Sequence, residues 1–374
     1  MGLSLSHEVL SLELRDPFRI ARSAPGEGER ITTVIVELRD ERYPGVVGVG
    51  EGYPEPYYGE TPDTMAAVFP LLLADVDAES LSRALADAAS ARLHIEWLGA
   101  TWAERIRGHG AAKSALDIAL HDFAGRVLGQ SVHAFLGLSD ELPPTDFTIG
   151  IDEPAVVAER ARRAAHFPAL KIKCGGPADL ETLRAVREVF AGPLRVDANT
   201  GWTRADAESL LPALVDLGVE LIEQPFPARA YRDLGWLQEL SPMPIVADES
   251  CVFPEDLEAL VGIVAGVNVK LAKCGGIGPA RQMLERAREL GFRTFLGCME
   301  ETSVGIAASA VVASLADWVD LDGNLLLAAD PFDGLELGDD CRWRLAEAPG
   351  LGLTRRDGGD ERSQAARSQP DKRP

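Results

Sequence analysis

The sequence predicts an α/β barrel behind a small N-terminal α+β domain, and three observations predict it. Short apolar runs recur at intervals of roughly 22–27 residues from about Thr145 onward. Each gap is long enough for a crossover helix, and a polar residue stands at the end of nearly every run.

The elements follow in order. Residues 3–15 and 30–40 read as strands, the second β-branched, and Gly45 to Gly52 supplies a glycine-rich third. Helical patterns cover 61–73, 80–98 and 109–127. In the last, Ala112, Ala115, Leu116, Ile118, Ala119 and Phe123 form one apolar face. Strands followed by helices make an α+β unit, assigned to residues 1–125. The recurring runs then lie at 147–151, 170–174, 194–198, 219–223, 245–248, 267–271, 294–297 and 319–322. Eight alternating βα units read as a TIM-type barrel over residues 126–325. No Gly-x-Gly-x-x-Gly turn opens any unit, which argues against an open doubly wound sheet. Residues 326–354 are expected to return to the first domain and help complete it. The polar stretch 355–374 is expected to be disordered.

Composition narrows the function. The 374 residues carry a net charge of −22, with a sequence pI near 4.7. Nucleic acid and anionic membrane surfaces would be repelled. The five cysteines form no Cys-x-x-Cys pair and are odd in number, in keeping with a reducing cytoplasm. No window of eighteen apolar residues free of charge occurs. The longest apolar stretch, 302–316, reads as a buried helix. A soluble cytoplasmic protein is expected.

The charged residues at the strand ends share a register. Lys171 and Lys173 end the second run, Asp197 the third, Glu223 the fourth, Asp248 the fifth, Lys270 the sixth, and Asp320 and Asp322 the eighth. The spacings from Lys173 to Asp197 and onward are 24, 26, 25 and 22 residues, one βα unit each. Such positions meet on one rim of a barrel, where barrel enzymes place their chemistry. A lone Asp after a strand is usually the cap of the next helix. Caps alone would not require clusters of alternating sign.

Lysine usage sharpens the point. Of 37 basic residues only six are lysines, and four of these fall in Lys171-Ile-Lys173 and Lys270-Leu-Ala-Lys273. Arginine cannot release its proton at working pH, whereas lysine can be tuned to do so. Lys171 and Lys173 flank one residue, so both amines aim to one side and are expected to depress each other's proton affinity. Lys173 and Lys270, from opposite parts of the ring, are expected to face each other across a substrate. Asp197, Glu223 and Asp248 form an oxygen-only set that favours magnesium over zinc.

The segments Lys171-Ile-Lys173, Asp197-Ala-Asn199, Glu223-Gln-Pro225, Asp248-Glu-Ser250 and Lys270 resemble the enolase superfamily, specifically its muconate lactonizing enzyme subgroup. The likeness spans about residues 8–345. It implies a capping α+β domain over a (β/α)7β barrel, one magnesium ion per subunit on Asp197, Glu223 and Asp248, and Lys173 and Lys270 as the acid/base pair. Lys171 would assist at the substrate carboxylate. The mandelate racemase subgroup fits poorly, because it uses a barrel histidine and none follows His166.

Asp320-Leu-Asp322 resembles the Asp-x-Asp element of dipeptide epimerases, which holds the substrate's α-ammonium group. Gly297-Cys-Met-Glu-Glu-Thr302 resembles their seventh-strand loop and would bring Met299 and Glu301 to the substrate. Thr148, Arg22, Ser23 and Tyr57 complete the substrate-binding candidates. Family members acting on Ala-Glu carry an arginine in the first capping loop; here the matching place holds Ser23, with Arg22 one residue earlier. The resemblance therefore implies an isomerase that epimerises a dipeptide at its C-terminal residue through an enolate, acting as a homo-oligomer. N-acylamino acid racemase, o-succinylbenzoate synthase and cycloisomerase activities share the lysines and the metal site. A non-catalytic metal-binding barrel is a further alternative.

Overall fold

The computed structural model describes residues 2–24 and 26–356. Most of the polar tail expected to be disordered thus lies outside the described residues. Its first residue does not fit that expectation, since Thr354–Arg355 pairs antiparallel with Phe332–Asp333.

Three antiparallel strands, β1 (Leu3–Glu13), β2 (Arg30–Asp40) and β3 (Val47–Gly52), open the chain in the order β1-β2-β3. Helices α1 (Pro62–Leu73), α2 (Ala78–Ala84), α3 (Ala88–Arg105), α4 (Gly110–Leu128) and α5 (Val132–Leu136) follow. The helix expected over 80–98 is two helices. Asp87 leaves helical geometry and accepts from Ser90 N at 3.0 Å, which caps a new start.

The glycines of β3 have a packing reason. A Cβ at Gly48, Gly50 or Gly52 would lie 2.2, 1.9 or 2.2 Å from the carbonyl oxygens of Ala119, Ala115 and Ala111. The strand therefore rests directly on the α4 backbone. Helix α4 was expected to bury one face, yet residues 110–125 are all buried. Its Asp122 is bonded inward, accepting from Val49 N at 2.9 Å and from Leu351 N at 2.8 Å.

Eight parallel strands follow: β4 (Phe147–Ile149), β5 (Leu170–Lys173), β6 (Leu194–Asp197), β7 (Val219–Glu223), β8 (Ile245–Ala247), β9 (Gly266–Val269), β10 (Arg293–Gly297) and β11 (Trp318–Asp320), paired in sequence order. The crossovers are α6 (Pro154–Arg163), α7 (Asp179–Val189), α8 (Arg204–Asp216), α9 (Tyr231–Leu240), α10 (Pro254–Leu260), α12 (Ile277–Glu289) and α13 (Ser303–Val312). A single turn, α11 (Leu271–Cys274), precedes α12. Among the described residues no α-helix follows β11, only the 3-10 turn Gly323–Leu326, so the fold is (β/α)7β. The ring closes just before β4, where Asp146 N donates to Val319 O at 3.0 Å and Leu321 N donates to Thr145 Oγ1 at 2.8 Å.

Glu51, fully buried on β3, joins the two units. It accepts from Thr302 N, Thr302 Oγ1 and Gly305 N at 3.0, 2.6 and 2.8 Å. The chain after the barrel adds further ties, with Arg15 N donating to Leu326 O and Ala328 N to Glu13 O.

Candidate active site

Strand register builds the rim. Lys173 pairs with Asp197 and Asp197 with Glu223 across β5, β6 and β7, so three inward side chains stand in one row. Asp248 follows β8 directly and Lys270 follows β9. Ligand oxygens of Asp197, Glu223 and Asp248 lie within 4.8 Å of one another, and all three residues are buried. Burial, and then the charge of Asp197, push the Glu223 carboxyl up to about 7. Three buried carboxylates in mutual repulsion form an anionic, oxygen-only donor set that fits a hard divalent cation.

The amines converge on the same set. Lys173 Nζ donates to Asp197 Oδ2 at 2.6 Å and Lys270 Nζ to Asp248 Oδ2 at 3.0 Å. Lys171 Nζ donates to Asp320 and, at 3.3 Å, to Glu223 Oε2. Burial alone would lower Lys171, but nearby carboxylates, Asp320 first, hold it above the ordinary lysine value, so at Lys171 the depression expected from its neighbour Lys173 is outweighed. Lys270 is likewise held above that value, by Asp248 first. A cation held by Asp197, Glu223 and Asp248 is what would shift the balance toward proton release.

Beside this cluster lie the residues from β11. Asp320 accepts from Thr148 Oγ1 at 2.8 Å, and Asp322 accepts from Thr148 N at 2.6 Å. Asp322 holds the cap position of the 3-10 turn, yet its side chain makes no capping bond there. Both carboxylates are therefore gathered on Thr148 at the end of β4. Glu301 is buried beneath the seventh-strand loop, with Oε2 accepting from Met299 N at 3.2 Å and Oε1 unpartnered. Met299 is half-buried in the same loop.

The capping loops cover the mouth. Arg22 Nη1 donates to Asn199 O at 2.8 Å and Glu249 Oε1 at 2.5 Å, with its guanidinium 4.2 Å from the Tyr57 ring centroid. This one side chain links both capping loops to the ends of two barrel strands. Ser23 Oγ accepts from Ile20 N at 3.0 Å and stays within its own turn. A cleft of about 1000 Å³ opens here, lined by Phe18, Ile20, Arg22, Ser23, Tyr53, Tyr57 and Glu300. Phe18 brings it to the chemistry, its ring centroid 5.9 Å from Lys173 Nζ.

Sequence reasoning missed several supporting residues. Asn268 Nδ2 donates to Glu223 Oε1 at 2.5 Å. It precedes Lys270 by two positions on β9, so strand alternation alone would have placed it at the mouth. Lys273, grouped by composition with the proton-transfer lysines, is a clamp. It donates to the Asp248 carboxylate and to the carbonyls of Asp248, Cys251 and Asn268 at 2.7, 2.9 and 2.9 Å. Gln224, with φ of 32°, accepts from Asp248 N at 2.9 Å and Ser250 N at 3.1 Å, fixing the turn that carries the third carboxylate.

A capped (β/α)7β barrel with two lysines over a carboxylate trio defines the class: a metal-assisted proton-transfer enzyme. Residues 7–137 match the mandelate racemase / muconate lactonizing enzyme N-terminal domain, and residues 155–358 match the enolase C-terminal domain-like family. The chain belongs to this mandelate racemase / muconate lactonizing enzyme family. Among relatives, the L-Ala-D/L-Glu epimerase of Bacteroides thetaiotaomicron is 38% identical over 91% of this chain and 85% of its own. The dipeptide epimerase of Enterococcus faecalis, solved with magnesium and L-Leu-L-Tyr, has a TM-score of 0.83 at 33% identity, covering 95% of this chain and all of that one. The dipeptide epimerase of Methylococcus capsulatus, solved with magnesium and L-Arg-D-Lys, has a TM-score of 0.80 at 34% identity, covering 94% and 99%.

Proposed function

We propose that this protein is a magnesium-dependent dipeptide epimerase, moving a proton at the α-carbon of the C-terminal residue of an L-Xaa-L/D-Xaa dipeptide. The observation that carries the reading is the place of Asp320, which meets Lys171 while Lys171 also meets Glu223. An ammonium-binding carboxylate thus stands one side chain from the donor set. Epimerases among the relatives support the same activity.

Asp197, Glu223 and Asp248 would hold magnesium, which supplies positive charge to the substrate carboxylate as the α-proton leaves. Lys173 and Lys270 stand on opposite sides of that position. One removes the proton to give an enolate, and the other returns a proton from the opposite face. Lys171 balances the charge of the substrate carboxylate and of Asp320. Asp320 and Asp322 receive the substrate's α-ammonium, a cation that N-acylamino acid racemase, o-succinylbenzoate synthase and cycloisomerase substrates lack.

The cleft favours an uncharged C-terminal side chain over a glutamate. Arg22 is already engaged by Glu249 and Arg30 by Glu13, while Phe18, Ile20 and Tyr57 offer an apolar wall and Glu27, Glu29, Glu55 and Glu300 line the same cleft. The unpaired cysteines are in keeping with a cytoplasmic setting. The test is a dipeptide panel in deuterated water with magnesium present. Deuterium should enter only the C-terminal α-carbon, faster for L-Ala-L-Leu than for L-Ala-L-Glu. No exchange with any dipeptide, but exchange into an N-acylamino acid, would replace this reading with the racemase one.

A further inference from the structure

A second cavity, of about 320 Å³, lies where the first barrel unit, β4 and α6, meets the 3-10 turn that follows β11. Thr148 turns its hydroxyl to Asp320, so its strand neighbours Phe147 and Ile149 point the other way. Those two, with Phe167, Leu325, Leu326 and Leu337, make apolar walls. The Phe147 and Phe167 ring centroids are 5.0 Å apart. Asp16, Pro17 and Phe18 of the first capping loop also line the hollow, and of all its lining residues only Phe18 also lines the substrate cleft.

The charge here runs against the rest of the chain. A protein of net charge −22 lines this hollow with Arg15, Arg160, Arg163 and His166, and with a single carboxylate, Asp16. Asp16 is already taken: Arg163 donates to its Oδ2 at 2.7 Å, and Arg160 Nε lies 3.6 Å from its Oδ1. Arg160 also donates to Asp152 at 2.8 Å. Arg15 differs from both. Its Nε donates to the Leu327 carbonyl at 2.8 Å, which fixes the side chain, and it makes no ion pair among the described residues. An apolar hollow beside an uncommitted guanidinium selects an anion with an apolar tail. A cavity of about 150 Å³ is enough for benzene. About twice that volume has room for a phenyl ring and a short chain ending in a carboxylate. A dipeptide suits the place poorly, because its ammonium would stand among arginines.

We propose that this cavity binds a small monocarboxylate with an apolar tail and no ammonium group, its carboxylate on Arg15 and its tail among Phe147, Phe167 and Leu337, separately from the substrate. The probe is 3-phenylpropionate, titrated calorimetrically into the protein with magnesium present. One equivalent should bind. The neutral 3-phenylpropanamide keeps the tail and loses the charge, and should bind about tenfold more weakly. Arg15→Gln should weaken the acid by about tenfold and leave the amide unchanged. Leu337→Trp, which fills the hollow from a half-buried position, should abolish binding of both. Should that variant fail to fold, Arg15→Gln still decides. No binding, equal affinity for acid and amide, or an unchanged affinity in Arg15→Gln overturns the proposal. So does competition with L-Ala-L-Leu, which would put the acid in the substrate cleft. Binding that falls as protein concentration rises would make a second copy of the chain the occupant, and would overturn it too. Only the competition arm draws on the proposed function. If no dipeptide binds, that reading fails while the Arg15 comparison still settles this one.

Discussion

At the scale of single residues, the lysine pair carries the chemistry. Lys173→Ala should abolish α-proton exchange from one enantiomer of the C-terminal residue, and Lys270→Ala from the other, with each loss on the order of a thousandfold. Exchange in deuterated water with the separate diastereomers reads this directly; full racemising activity in both variants would end the two-base account. Glu301 gives a pH prediction. Burial, and then the charge of Glu51, push its carboxyl up to about 8 from an ordinary 4.5. Between those values the fold holds a proton that the unfolded chain releases. The stability this residue contributes is therefore complete below about 4.5 and lost as pH rises toward 8. Glu301→Gln should shrink the fall in urea midpoint between about pH 5 and pH 8. An unchanged fall would show that other buried acids, such as Asp322, account for it. The rim was legible because its residues are spaced by the βα unit and differ in sign. Lys273 was misjudged for a physical reason: a buried clamp and a proton carrier both call for a compact ammonium. Composition cannot separate the two.

Secondary-structure elements were legible where one rule acted alone. The barrel strands came from short apolar runs, and the buried 302–316 stretch is indeed helical over Ser303–Val312 and buried throughout that helix. The rules failed where a local cap overrode a periodic pattern, as at Asp87, which divides α2 from α3. They also failed for α4, where partners on several sides erased the polar face that periodicity assumes. The glycines of β3 mark the same crowding from the strand's side. Gly50→Ala would drive a methyl group to 1.9 Å from the Ala115 carbonyl. Because that neighbour is backbone, the helix itself must move, and a loss of about 1–3 kcal/mol in unfolding free energy is expected. Gly99→Ala is the control, since its nearest neighbour would be 4.0 Å away. Equal stability of the two variants would show that α4 can shift freely.

For the whole molecule, the architecture followed from the count and spacing of runs. What no periodicity could reveal was how the ring closes and how the cap is tied on. Those ties are long-range backbone and carboxylate bonds, such as Asp146 to Val319 and Glu51 to Thr302. The covering loops are held differently from the core beneath them. Glu51 and the lysine–carboxylate cluster are sealed from water, but Arg22 is 25% exposed where it grips Glu249. Dissolved ions therefore reach the fastening of the cover far more than the chemistry under it. If a finished dipeptide escapes only once Arg22 lets go, residence time sets turnover. Added potassium chloride should then speed steady-state turnover while leaving single-turnover exchange nearly unchanged, and Arg22→Met should be fast and indifferent to salt. A variant as salt-responsive as the parent would place the slow step elsewhere. In that design the acidic exterior and the dry interior divide the labour: ionic strength governs how long a guest stays, and the sealed amines govern what happens to it.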